Sequence, residues 1–171
     1  MSRTAAPSSL IKELVIAAIS LGGSAIFLDS LRYKFTDHPK TQVIFGRLTD
    51  WAASFGADGL FAHHGLFSQY VIGSAELVAA GLLLLGLIPA LRVLSGIGAA
   101  LAFAVMAGAV SFHLFTPLGI DPNNDGGGLF AAAVAWLIGS AVLVLLRRNE
   151  LIALVSQVLR LRTGATAPLP R

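Results

Sequence analysis

The sequence predicts an all-α membrane protein: a four-transmembrane-helix bundle with an outer interfacial helix and a basic amphipathic C-terminal helix on the cytoplasmic side. Three observations predict it. Hydrophobic side chains make up 56% of the 171 residues and charged ones only 12%, outside the range of soluble domains. Apolar runs at about 14 to 31, 70 to 91, 93 to 115 and 129 to 146 are each close to the roughly 20 residues that cross a bilayer core. No stretch alternates apolar and polar residues as a barrel strand does, and a helix satisfies its backbone polar groups within one segment. Residues 1 to 148 then form a single domain, followed by an amphipathic helix at 149 to 162 and a flexible tail, "TGATAPLPR", at 163 to 171.

The first run imitates a secretory signal, because Arg3 and Lys12 precede or open it and "GGSA" offers small residues that suit cleavage. Its continuation through "IFLDSLR" favours a retained first span. Between spans one and two, Ile44, Leu48, Trp51, Ala52 and Phe55 recur at helical spacing, while Arg47, Thr49 and Asp50 point elsewhere. That pattern predicts the outer interfacial helix, with Pro39 in its first turn and Thr36 or Asp37 as its cap.

In span three, Gly96, Ala100, Ala104 and Gly108 recur every four residues and permit close backbone approach. The expected partner for this face is span one, through Ala18, Gly22 and Gly23, or another protein. After span four, Leu151, Leu154, Val155, Val158 and Leu159 make a stripe flanked by Arg148, Glu150, Gln157 and Arg160, the pattern of a helix lying on the inner leaflet.

Lys and Arg placement sets the orientation. Arg92 lies between spans two and three, and Arg147, Arg148, Arg160, Arg162 and Arg171 follow span four, whereas residues 116 to 128 carry no basic side chain. Both termini are therefore expected in the cytoplasm. The loop from 32 to 69 objects with Arg32, Lys34, Lys40 and Arg47, accompanied by Asp37, Asp50 and Asp58.

The stretch "DPNNDGGGLF" at 121 to 130 begins like a calcium loop, with Asp121, Asn123, Asp125 and Gly126 in the D-x-N-x-D-G half of the pattern. Its other half fails, because the twelfth position is Ala132 rather than a bidentate Glu. No metal is expected. Pro122, Asn123 and Asn124 instead make a turn and Asp125 caps span four, while Gly126, Gly127 and Gly128 suggest close approach of another group or an anion on free N–H donors.

With four up-and-down helices, the polar residues Arg32, Lys34, Glu76, His113 and Asp125 collect at the outer ends of the spans, leaving an inner half of Leu, Val and Ala. Glu76 has two readings, since an intramembrane carboxylate signals either function or a buried pair. It pairs with Arg32, Lys34 or His113 and holds helix register, or it holds a ligand head group or a proton. His113 is a capping or pairing group, a proton donor, or a haem ligand; the haem reading is weak because only His63 or His64, both in a loop, offers a second imidazole. The absence of cysteine excludes disulfides, thiolate metal sites and CxxC redox chemistry, and with them the vitamin K epoxide reductase type of four-helix enzyme. The sequence assigns no catalytic residue, and no nucleic-acid partner is expected.

"LRYKFT" after span one, "GSAELVAAGLLLLG" in span two, "SFHL" ending span three and "DGGGLFAAA" opening span four resemble the DoxX-like family of small four-helix membrane proteins, in order over about residues 14 to 148. The "KFT" stretch is also similar to the related YkgB-type proteins. The resemblance implies association with quinol oxidase, thiosulfate:quinone oxidoreductase or other membrane redox complexes of a bacterial-type inner membrane. It also implies that Lys34, Glu76, His113, Asp125, Gly126 and Gly127 occupy the family's recurring polar positions. The chain departs from the family in its longer outer loop and its basic C-terminal helix.

Two functions follow as expectations. In one, the chain is an accessory or assembly subunit that docks to a larger membrane complex, or to further copies of itself. In the other, an outer pocket binds a quinone or lipid, with Glu76 and His113 on the head group and Arg32 or Lys34 neutralising charge.

Overall fold

A computed structural model describes residues 7 to 163. All of its regular structure is helical: α1 (Pro7–Lys34), α2 (Pro39–Ala53), α3 (Gln69–Leu85), a 3-10 turn (Pro89–Leu91), α4 (Arg92–Phe115), α5 (Gly128–Leu146) and α6 (Arg148–Thr163). The expected tail lies almost entirely outside the described residues.

Three helical segments are long and apolar enough to cross a membrane: Leu10–Lys34, Pro89–Phe115 and Gly128–Leu146. The fourth, α3, has 17 residues and spans about 26 Å at 1.5 Å per residue. The apolar run at 70 to 91 had suggested a longer helix. It stops at Gly86, where the backbone lies so close to Ser95 of α4 that a Cβ would overlap it, and Pro89 then starts the 3-10 turn.

Helix α1 packs on α3, α3 on α4, α4 on α5 and α5 back on α1, closing a four-helix ring. The core between them holds Ile16, Phe27, Ala79, Leu83, Ala99, Ala102, Met106, Trp136 and Leu143. Two glycines make the ring tight. The indole of Trp136 occupies the space where a Cβ of Gly23 would stand, and a Cβ on Gly98 would lie 2.9 Å from Ala79 O and from Leu82 Cβ. Phe27 meets Trp136 edge-on, with ring centroids 5.7 Å apart.

The expected meeting of the α4 small-residue stripe with span one does not occur. Ser95, Gly98, Ala99, Ala102 and Met106 face the core, which turns Ala100 and Ala104 outward and leaves nothing within 4 Å of a Cβ at Gly108. On α1, Ala18 and Gly22 are likewise exposed, and only Gly23 is packed. Gly96 alone of the stripe is covered, by Arg147 and Leu151.

Helix α2 forms where the apolar spacing places it, with Pro39 in the first turn. Its cap is His38, whose Nδ1 accepts from Lys40 N, rather than Thr36 or Asp37. Asp37 instead takes a left-handed φ of 51° in the turn. The apolar stripe of α2 is used inside the protein: Leu48 and Ala52 are buried with Phe61 and Leu118, against Ile44, Trp51 and Phe112. This second core caps the bundle end formed by α4 and the 116 to 127 loop, and Arg47 adds a hydrogen bond to Leu118 O at 3.4 Å.

Candidate functional site

At the capped end of the bundle, Glu76 on α3 is 3% exposed and carries a charge that needs compensation. Lys34, at the last turn of α1, supplies it: Nζ lies 3.0 Å from Glu76 Oε2. Ser30, one turn earlier, donates to the same oxygen at 3.0 Å and accepts from Lys34 Nζ. A cation at the C-terminus of α1 is also favoured by the helix dipole. The carboxylate, ammonium and hydroxyl thus satisfy one another across the α1/α3 contact.

Gln69, at the start of α3, extends this tie. Its amide donates to Lys34 O at 2.8 Å and to Asp37 Oδ1, and it accepts from Gln42 Nε2 at 2.8 Å. Tyr70 OH donates to the same Asp37 oxygen at 2.6 Å. The hydrogen bond from Tyr70 holds the Asp37 carboxyl below its ordinary value despite partial desolvation, with Gln69 and the nearby His63 acting in the same direction. The α1/α2 turn is thereby pinned to α3.

The remaining expected members of the cluster lie apart from it. Arg32 points outward, pairing with Asp29 at 2.9 Å and donating to Tyr33 OH at 3.0 Å. His113 is buried, with Nδ1 2.6 Å from Gly119 O and its ring 5.5 Å from that of Phe130, so it fastens the loop after α4 to its own helix end. Neither residue touches Glu76. Among the described residues no group of three or more His, Asp or Glu side chains is arranged to hold a metal ion.

The loop at 121 to 127 uses its carboxylates on its own backbone. Asp121 Oδ1 accepts from Asp125 N at 2.7 Å, and the two oxygens of Asp125 accept from Gly127 N and Leu129 N, both at 3.1 Å. Partial desolvation opposes ionisation of Asp125, but those donors outweigh it and hold its carboxyl below the ordinary value. Asp125 therefore caps α5 from two residues before its N-cap, Gly127. Gly126 and Gly127 serve the turn with φ of 70° and 79°. The expected close approach by another group is limited to Ile120 O, 3.6 Å from a Cβ built at Gly127, and the anion on the free amides is the protein's own Asp125.

A second charged centre sits at the opposite end, where the inner half of the spans was expected to be nearly pure Leu, Val and Ala, with arginines such as Arg92 and Arg147 only marking the cytoplasmic side. Arg147, 2% exposed, closes α5 and holds Glu13 of α1 with two hydrogen bonds, Ser95 of α4 at 3.0 Å and Glu150 of α6 at 3.3 Å. One guanidinium thus joins four helices, using the planar fork that suits a bidentate carboxylate. The sequence signal was Glu13, an acid at an end of the chain otherwise marked by Arg and Lys. Beside this centre a cleft of about 250 Å³ opens between α1 and the turn joining α3 to α4. Another, of about 340 Å³, lies at the capped end beside His63, His64 and Tyr70. Glu76 and His113 line neither.

Comparison with protein-family models, with curated proteins and with solved structures found no match.

Proposed function

We propose that the chain is an integral membrane protein whose four bundle helices all span the bilayer and which acts as a docking or assembly subunit without chemistry of its own. The uncovered small-residue face of α4 carries this reading: Ala100 and Ala104 are exposed and Gly108 is open, so a partner helix finds room for close backbone contact. The pairing of Glu76 with Lys34 supports it from the other side, because a carboxylate already matched by an ammonium and a hydroxyl has little left for a head group. The 17 residues of α3 suffice for a span with modest bilayer thinning. Arg92, Arg147 and Arg148, at the end of the bundle where α1 begins and α5 closes, favour a cytoplasmic side there, in an inner membrane of bacterial type. The resemblance of the span-end motifs to DoxX-like proteins makes a quinone-linked redox complex the partner class.

The test is purification from native membranes in mild detergent, comparing the wild type with Ala104→Leu and Glu76→Gln. Docking predicts larger subunits retained by the wild type and by Glu76→Gln but lost from Ala104→Leu, with the thermal midpoint of Ala104→Leu unchanged. A wild-type chain that emerges alone with one quinone or lipid, lost in Glu76→Gln, would reverse the reading in favour of an outer binding pocket.

A further inference from the structure

We propose that the cleft between α1 and the turn joining α3 to α4 holds one anionic glycerophospholipid, its phosphate on Arg92 and an acyl chain along α1. The cleft has the two chemistries such a lipid needs. On α1, Leu10, Leu14 and Ala17 stand at i, i+4 and i+7 on one face, and the two leucines are 58% and 60% exposed. Opposite them, Leu87 and Pro89 form an apolar wall. The polar floor is Arg147 with Glu13, and there one guanidinium is shared by two carboxylates, because Glu13 and Glu150 both bind Arg147.

Arg92 is the cation of the cleft without a direct ion pair among the described residues, and it acts on Glu13 only through space. Its Nε donates to Pro89 O at 3.1 Å, which holds the side chain at the rim, and its terminal nitrogens make no ion pair or hydrogen bond among the described residues. A cation at a helix end above an aliphatic groove matches a phosphate above an acyl chain, and basic clefts between helices on the cytoplasmic side suit anionic head groups. A free phosphate would use Arg92 alone and leave the leucine face bare.

This inference rests on the bundle lying in a bilayer, not on any docking partner. The test offers the purified chain equal amounts of dioleoyl phosphatidylglycerol and dioleoyl phosphatidylcholine and reads the retained lipid by native mass spectrometry. The wild type is expected to retain phosphatidylglycerol preferentially, and Arg92→Gln to lower that preference about fivefold, the effect of one cation near a charged surface. Ala17→Phe, which fills the groove, is expected to reduce retention of both lipids, whereas Arg148→Gln, outside the cleft, leaves the preference intact.

Equal retention of the two lipids by the wild type, or an equal loss in Arg148→Gln, overturns the site. Displacement of the lipid by excess inorganic phosphate overturns the choice of ligand. Circular dichroism and thermal unfolding confirm that Arg92→Gln and Ala17→Phe remain folded; should Ala17→Phe not, Leu10→Phe replaces it. Carbonate extraction separates the two readings: a chain stripped from membranes loses both, while an embedded chain indifferent to head group loses only the lipid site.

Discussion

Arg147 grips the carboxylate of Glu13 with both terminal nitrogens, at 3.0 and 2.7 Å, and so ties the last helix of the bundle to the first. The two ends of this pair differ in exposure: 2% for the Arg147 side chain and 45% for that of Glu13. Removing the buried partner therefore costs more. Arg147→Gln is expected to lower unfolding stability in detergent by about 3 kcal/mol, because it strands two carboxylates, and Glu13→Gln by about 1 kcal/mol, because Arg147 keeps Glu150, Ser95 and the one amide oxygen as acceptors. Chemical unfolding of both variants checks this, and equal losses would contradict the asymmetry.

For the pair at the opposite end, Lys34→Met and Glu76→Leu should each destabilise by about 3 kcal/mol, since either leaves a charge in the bundle without its partner. The double variant should recover most of that loss. A double-mutant cycle measures it, and additive losses would show that the pair does not act as a unit.

Helix packing predicts opposite behaviour at two glycines. Gly98→Ala places a methyl against the α3 backbone and should cost about 1 to 3 kcal/mol. Gly22→Ala meets open space, so thermal unfolding should show no loss and a slight gain in helix propensity.

Asp37 predicts an acid dependence. Its carboxyl is held below the ordinary value, first by the Tyr70 hydroxyl, so its contribution is fully present above the unfolded carboxylate range and fades as pH falls through the depressed folded value. The stability difference between the wild type and Asp37→Asn should be constant near neutrality and shrink below about pH 4. Tyr70→Phe should reduce the difference at neutral pH. Thermal midpoints recorded across the acid range decide it, and a difference that grew on acidification would reverse the sign.

Exchange at the start of α5 reports on the loop. Asp125→Ala should speed hydrogen exchange at Gly127 and Leu129, whose amides the carboxylate holds, without altering exchange in the middle of the helix. Mass spectrometry of the exchanged chain resolves the two regions.

Composition and apolar run length determined that the chain is helical and suited to lipid, and the i, i+4, i+7 spacing of Ile44, Leu48 and Trp51 placed α2. These are local properties, written in residues adjacent along the chain. Partner choice is different in kind. That Glu76 takes Lys34 and leaves Arg32 and His113, that Arg147 reaches Glu13 across 134 positions, and that Ala100 and Ala104 face outward depend on the rotation of each helix about its axis. That rotation is decided by contacts such as Gly23 under Trp136 and Gly98 against α3. Only the tertiary structure brings those surfaces together, because close packing couples every helix face to its neighbours at once.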